Sequence, residues 1–212
     1  RSTLFPYTTL FRSPYSNPDA GIITIGGHLD SWDLGTGASD DAAGVAITTA
    51  AAKRIMDAGQ PVRTIRLVWF GAEEAGSLGG AAYAKAHANE KHALLAEADT
   101  GASRVVQYKA TVNESAAPAL ETMRLALARL GIVKGDREAI ASDLMILASS
   151  GVPVIELRND MTHYFDLHHT PDDTLDKINV EELRQCVAAW TTMLAILAND
   201  TADLGPVAAG EH

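Results

Sequence analysis

Short apolar runs alternate with longer amphipathic segments along most of the chain. Four runs have the length of buried strands, at 21–25, 65–70, 93–98 and 152–157. Four segments repeat apolar residues at helical spacing, at 41–58, 78–88, 116–130 and 179–198. The run 93–98 fits a strand or a helix by pattern alone, and its place after a helix and before Asp99 favours a strand. Strands that alternate with helices predict an α/β layer fold with a largely parallel sheet.

Local signals refine two of these elements. Gly26-Gly27 follows the first run, and two glycines there predict a tight turn that places His28 at the end of a strand. Ser39 or Asp40 is the expected N-cap of the helix 41–58, which Gly59 and Pro61 should end.

Histidines and carboxylates cluster at the ends of the apolar runs. His28, Glu73-Glu74 and Asp99 each follow a predicted strand directly. In open α/β sheets, ligands bind beyond the carboxyl ends of the strands, so these groups are expected at one site. Zinc takes imidazole and carboxylate ligands, and a second metal requires a shared carboxylate, which this chain can supply. The spacing therefore predicts a metal site.

Composition narrows the choice of partners. The 212 residues fit one domain, and the net charge of -10 argues against a nucleic-acid partner. The single cysteine, Cys186, excludes an internal disulfide and is expected to be a small buried hydrophobe. No apolar run reaches the roughly 18 residues that a membrane span requires.

The first thirteen residues do not fit this pattern. They have no clear period and resemble a translated sequencing adapter, so Arg1–Ser13 is interpreted as an extraneous segment that packs little against the domain. The catalytic domain is then expected to span 14–200, with a C-terminal tail at 201–212. On this interpretation the chain is an N-terminally truncated fragment.

Three stretches give a specific resemblance, from about Gly21 to about Ala198. They read GGHLDSWDLGTGASDDAAGVA, FGAEEAGSLGG and HHTPDDT. Together they resemble the dinuclear zinc aminopeptidases, and within them the carboxypeptidase Q (plasma glutamate carboxypeptidase) type. The resemblance implies a three-layer α/β/α zinc-peptidase architecture with a mostly parallel mixed sheet. It also implies two Zn²⁺ per chain, a short peptide substrate and a secreted or periplasmic location, and it leaves a homodimer open.

The same resemblance assigns the metal ligands. His28 would bind one metal, and Asp99 would complete that metal's ligand set. Asp40 would bridge both metals, and a cis peptide bond is expected after it. Glu74 and His169 would hold the other metal; His169 is chosen because it directly precedes the Thr-Pro-x-Asp segment.

Catalytic and substrate-binding roles also come from the resemblance. Glu73 would be the general base, and Asp30 would orient the ring of His28. The residues expected to contact the substrate are Ser142, Asp143, Tyr164 and His168. Some relatives carry a tyrosine shortly before the Ser-Asp pair, but 137–141 here contains none. Tyr164 and His168 are therefore the candidates for stabilising a developing oxyanion.

Three alternatives stay open at this point. The expected enzyme hydrolyses dipeptides or N-terminal residues of short peptides with a two-metal activated water. The first alternative is a single-zinc glutaminyl-peptide cyclase on the same scaffold, and the second is a catalytically inactive binding relative that has lost metal ligands. The third is a poorly folded fragment whose sheet exposes an unpaired edge. The sequence leaves peptide specificity, native metal and oligomeric state undetermined.

Overall fold

The computed structural model describes residues 7–207, which form one seven-stranded mixed sheet in the order β1-β3-β2-β4-β7-β5-β6. The strands are β1 (Tyr7–Arg12), β2 (Ile22–His28), β3 (Thr64–Phe70), β4 (His92–Glu97), β5 (Val105–Thr111), β6 (Val133–Lys134) and β7 (Val154–Asn159). The central strands β3, β2, β4 and β7 are parallel. β1 and β5 pair antiparallel with this block, and β6 runs parallel to β5. The expected mostly parallel mixed sheet is confirmed.

Helices cover both faces of the sheet. They are α1 (Ala43–Ala58), α2 (Leu78–His87), α3 (Ala117–Ala128), α4 (Met145–Ser149), α5 (Tyr164–Leu167) and α6 (Val180–Leu197). On one side α6 contacts both α1 and α3, and on the other side α2 contacts α4. Each side has its own buried apolar cluster. This is the predicted three-layer α/β/α arrangement.

The apolar stripes of the long helices form much of the larger core. Trp190 and Leu194 of α6 are fully buried with Met123 and Leu127 of α3, while Leu183 is only partly buried. Cys186 is also fully buried, as its place on the stripe predicted. No helix in residues 7–207 is long and apolar enough to cross a membrane.

The glycine pair before His28 has a different role from the predicted one. Gly26 and Gly27 lie inside β2 and make no turn. A Cβ atom at Gly26 would come within 2.2 Å of the Val68 carbonyl oxygen, and one at Gly27 within 2.3 Å of an Asp41 carboxylate oxygen. The pair is thus required by close packing against β3 and Asp41, which lets β2 continue straight to His28.

The expectation that residues 1–13 pack little is wrong for residues 7–13. The backbone of Tyr7–Arg12 forms β1 and pairs with β3, and buried Ser13 accepts a hydrogen bond from the Ile65 N–H through Oγ at 2.9 Å. The physical reason is that the outer side of β3 offers unpaired backbone groups, which any extended segment can satisfy. Residues 1–6 lie outside the described residues, and the origin of the segment stays a prediction.

The start of α1 also differs from its prediction. The helix begins at Ala43, after an irregular turn at Ala38–Ala42, and neither Ser39 nor Asp40 caps it. Asp41 instead accepts a hydrogen bond from the Gly44 N–H at 3.2 Å. The Asp40 carboxylate is unavailable as a cap because it faces a cluster of histidines.

Candidate metal centre

Five predicted ligands meet at the carboxyl edge of the central strands. His28 ends β2, Glu74 follows β3 and Asp99 follows β4, while Asp40 lies in the turn before α1 and His169 follows α5. Contacts of 3.5 Å or less link His28 to Asp40 and Asp99, and link His169 to Asp40 and Glu74. The predicted convergence is confirmed, whereas the role of each residue as a ligand stays a proposal.

Asp40 lies between two sets of donor atoms. Its Oδ1 is 3.0 Å from His28 Nε2, and its Oδ2 is 3.4 Å from His169 Nε2. His169 Nε2 is in turn 2.9 Å from a Glu74 carboxylate oxygen, and the other Glu74 oxygen is buried without a hydrogen-bond partner. Ligands of a tetrahedral zinc at about 2.0–2.1 Å lie roughly 3.4 Å apart. The donor set and its spacing therefore fit zinc on both sides of Asp40.

The backbone of Asp30 fixes the ring of His28. His28 Nδ1 lies 2.9 Å from the Asp30 carbonyl oxygen, while the nearest Asp30 carboxylate oxygen is 3.9 Å away. An Nδ1–H donated to a carbonyl leaves the Nε2 lone pair facing Asp40 and Asp99, which is the usual arrangement of a metal-binding histidine. The predicted orienting role of Asp30 thus belongs to its carbonyl group.

The Asp30 carboxylate has another function. Its two oxygens accept hydrogen bonds from the N–H groups of Glu73 and Glu74, at 3.0 and 3.1 Å. Ala72, just before them, has a φ of 60°, which a non-glycine residue rarely adopts. Asp30 therefore holds the turn that directs the two glutamates: Glu74 contacts His169, and Glu73 accepts a hydrogen bond from Ser77.

The cluster holds far more negative than positive charge. Burial works against a charged ring at His28, but hydrogen bonds with Asp40 and Asp99 and the charge of Asp41 outweigh it and raise the pKa of His28 to about 12. Burial and then the charge of Asp99 raise the pKa of Glu73, and burial and then Asp40 raise that of Glu74. These raised pKa values mean that the negative charges of the cluster are stabilised by a bound cation, and a metal ion would be such a cation.

Two buried aspartates accept hydrogen bonds from backbone N–H groups of the cluster, and the sequence analysis assigned neither of them a role. Asp41 accepts the N–H of His28 at 2.9 Å, and burial with the charge of Asp99 raises its pKa. Asp173 accepts the N–H groups of Ser39 and Asp40, at 2.6 and 3.0 Å. Asp41 follows Asp40 directly, and Asp173 lies in the motif HHTPDDT, so motif membership was the available signal. The Asp40-Asp41 peptide bond is cis, as predicted.

The four expected substrate contacts fall into two groups. Tyr164 and His168 face the cluster: their rings lie 4.8 Å apart, and His168 Nε2 is 3.4 Å from Asp40. Ser142 is half-buried near Asp99. Asp143 is buried, and its carboxylate accepts a hydrogen bond from the Gly80 N–H at 3.2 Å. Its side chain is enclosed beneath α2, and a contact between Asp143 and substrate stays a prediction.

Asp143 makes stability depend on pH in the metal-free protein. Burial, and then the charge of Glu73, raises the pKa of Asp143 to about 7. Between its unfolded pKa, near 3.9, and about 7, the folded state binds the extra proton, so stability should fall as pH rises through this window. We expect Asp143→Asn to flatten the fall in melting temperature measured between pH 4 and 7 in chelator. Exposed Asp57→Asn is the matched control, and an equal slope in wild type and Asp143→Asn would contradict the assignment.

An aromatic stack forms one wall of the centre. The exposed Trp32 ring lies 4.7 Å from the His169 ring at an interplanar angle of 11°, and His169 lies 3.6 Å from His168. His169 has a φ of 60°, so its backbone alone does not favour this placement. The stack therefore holds the imidazole toward Asp40 and Glu74.

Removal of the stacked indole should weaken metal binding. We expect Trp32→Ala to raise the zinc dissociation constant by roughly 10-fold, as is typical when a group that orients a ligand is lost. Competition with a chromophoric chelator measures this constant. Trp32→Phe keeps an aromatic face and should stay close to wild type, whereas equal affinity in Trp32→Ala would show that the stack does not orient His169.

Comparisons with solved structures identify the fold as that of metallopeptidases. A peptidase M28 precursor from Shewanella amazonensis SB2B superposes with a TM-score of 0.88 and 47% identity, covering 93% of this chain and 46% of that one. The zinc aminopeptidase BSAP from Bacillus subtilis has a TM-score of 0.72, covers 91% of this chain and 51% of its own, and at 21% identity supports the fold alone.

The sequence comparisons give the family. The model of peptidase family M28 matches residues 10–194, and the chain belongs to that family. Carboxypeptidase Q from Rattus norvegicus is 34% identical over 181 residues, which cover 84% of this chain and 38% of the relative. The chain thus spans well under half the length of this relative. The resemblance drawn from the three motifs is confirmed.

Proposed function

We propose that this chain carries the catalytic centre of a zinc-dependent exopeptidase that hydrolyses dipeptides or removes N-terminal residues from short peptides. The observation that carries the proposal is the placement of Asp40, whose two carboxylate oxygens face separate donor sets. The names of the relatives, carboxypeptidase Q and zinc aminopeptidase, support the same reaction class.

The proposed ligand sets share Asp40. His28 and Asp99 would hold one zinc ion, Glu74 and His169 would hold the other, and Asp40 would contribute one oxygen to each. Bound zinc would lower the pKa of a water molecule and polarise the scissile carbonyl. His28 keeps Nε2 available for this role because its Nδ1 hydrogen bonds to a backbone carbonyl.

Glu73 is the proposed general base. It lies beside the donor cluster without a contact to either histidine, and its N–H is held by Asp30. Its carboxylate would accept a proton from the attacking water and pass that proton to the leaving amine. Its raised pKa favours this exchange, because a base works best near the operating pH. Tyr164 and His168 would donate hydrogen bonds to the developing oxyanion.

Metal stoichiometry and peptide hydrolysis test the proposal together. Protein purified without chelator should hold two zinc ions per chain by elemental analysis and should release amino acids from Ala-Ala. One zinc ion per chain with conversion of an N-terminal glutamine would favour the glutaminyl-peptide cyclase. Absence of both bound zinc and turnover would favour a binding relative that lacks a working metal site, against which the presence of all five proposed ligands argues. A secreted or periplasmic location belongs to the proposal too, and the description of the Shewanella protein as a precursor supports it.

A further inference from the structure

The segment 135–144 lies on the same side of the sheet as α2 and α4 and forms neither a helix nor a strand. Three of its backbone N–H groups donate hydrogen bonds to side chains of the sheet. The acceptors are Thr111 of β5, Glu156 of β7 and Glu97 of β4, at 3.3, 3.0 and 3.0 Å. Because β4, β7 and β5 are neighbours in the sheet, side chains of three adjacent strands set the position of this segment.

The same segment borders the metal centre. Ile140, Ala141 and Ser142 line a cavity of about 80 Å³ that Asp99 also lines, and Asp99 belongs to the donor cluster. The apolar side chain of Ile140 is 55% exposed, so its burial contributes little to holding this part of the chain. The hydrogen bond from the Ile140 N–H to Glu156 is therefore the contact that fixes the segment beside the centre.

Glu156 is itself held by two cations. It is buried together with Lys109, whose ammonium group donates to its carboxylate at 3.1 Å. The guanidinium of Arg158 donates to the other carboxylate oxygen at 3.2 Å. Contacts on both oxygens fix the direction of the carboxylate, and Oε2 faces the Ile140 N–H.

Stability alone does not explain the buried pair of Lys109 and Glu156. The removal of two charges from water costs about as much as their attraction returns, and two well-packed apolar residues of similar size often stabilise a protein at least as well. A buried ion pair can instead specify one geometry. Here that geometry is the placement of the Ile140 N–H against β7, beside Asp99.

We propose that Glu156 is a positioning residue of the centre, which holds the segment 139–142 against Asp99 through the Ile140 N–H. The segment then forms a fixed wall for the bound peptide. The inference rests on the proposed peptidase function and gives Glu156 a role in substrate binding without contact to the metal ions. Because the wall contacts the substrate equally in the ground state and the transition state, its displacement should raise KM and leave kcat nearly unchanged.

Kinetics with Ala-Ala on three zinc-loaded variants test the proposal. Lys109→Met/Glu156→Leu removes the acceptor without leaving a buried lysine unpaired, and we expect a roughly 10-fold higher KM with kcat within about twofold of wild type. Glu156→Gln keeps an acceptor oxygen for the Ile140 N–H, so its KM should stay within about threefold of wild type. Gln185→Leu is the control for general destabilisation, because buried Gln185 of α6 bonds to the Val105 backbone on the other face of the sheet.

Hydrogen–deuterium exchange over residues 137–143 measures the anchoring of the segment without any need for activity. Exchange should be faster in the double variant and close to wild type in Glu156→Gln. Unchanged exchange in the double variant, or faster exchange with an unchanged KM, would overturn the inference and leave the peptidase assignment intact. An equal rise of KM in Gln185→Leu would trace the effect to general destabilisation and overturn the inference as well. Absence of hydrolysis by the zinc-loaded wild type would overturn the proposed function, and the binding role of Glu156 with it.

Discussion

Replacement of Glu73 by Gln is expected to lower peptide turnover by about 10²–10⁴-fold, the typical contribution of a general base, while zinc content stays unchanged. The reason is positional. Glu73 accepts a hydrogen bond from Ser77 and is absent from the groups whose donor atoms converge closely enough to hold a metal in the described chain. Glutamine keeps the shape of the side chain and removes its ability to take a proton. Zinc per chain and kcat for Ala-Ala are the two measurements.

Glu74→Gln is the matched comparison, because the same Asp30 carboxylate holds both N–H groups. Glu74 contacts His169 at 2.9 Å, so this substitution should release zinc together with activity. Loss of zinc from Glu73→Gln but not from Glu74→Gln would reverse the two roles. Full activity in Glu73→Gln would rule out the general-base mechanism.

Zinc is expected to raise the melting temperature of the metal-free chain by roughly 10 °C. Binding at about 1,000 times the dissociation constant adds about 4 kcal/mol to the stability of the folded state, and 1 kcal/mol corresponds to about 2–4 °C in a protein of this size. The physical cause is the buried acid cluster around His28, where a cation relieves the repulsion among Asp40, Asp41 and Asp99. Differential scanning calorimetry with and without zinc measures the shift.

Asp40→Ala should remove most of this stabilisation, because Asp40 borders both donor sets. Exposed Asp172→Ala removes an acid from the same histidine-containing motif that packs against Asp40, and it should keep the full shift. A zinc-induced rise that survives in Asp40→Ala would show that the ion binds elsewhere. An equal loss of the zinc-induced rise in both variants would show that zinc responds to the overall negative charge of this region and not to Asp40 itself.

The main elements could be predicted because their apolar patterns are local. The stripe of α6 and the buried run of β3 each record which side faces the core, and their bounds differ from the predictions by one or two residues. β5 was missed because its exposure alternates irregularly, and the two-residue β6 is too short to show a period. β1 was misjudged because strand pairing through the backbone leaves little mark on side-chain pattern.

The positions of the donor residues also followed from the sequence, because the carboxyl ends of parallel strands meet at one edge. The strand assignments alone were enough to predict that His28, Glu74 and Asp99 lie close together. The motifs added Asp40 and His169, whose approach depends on loops that no period describes. The cis bond after Asp40 likewise followed from resemblance and not from local pattern.

The sequence by itself thus determined the layered α/β fold, the family and the donor residues of the centre. The tertiary structure decided how those residues are held: Asp173 binds the N–H groups of Ser39 and Asp40 across more than 130 residues, and Trp32 stacks on His169. It alone placed Arg158 and Glu156 beside Asp99. The physical reason is that period and composition record burial along one element, whereas these contacts join elements far apart in the chain and depend on the packed geometry.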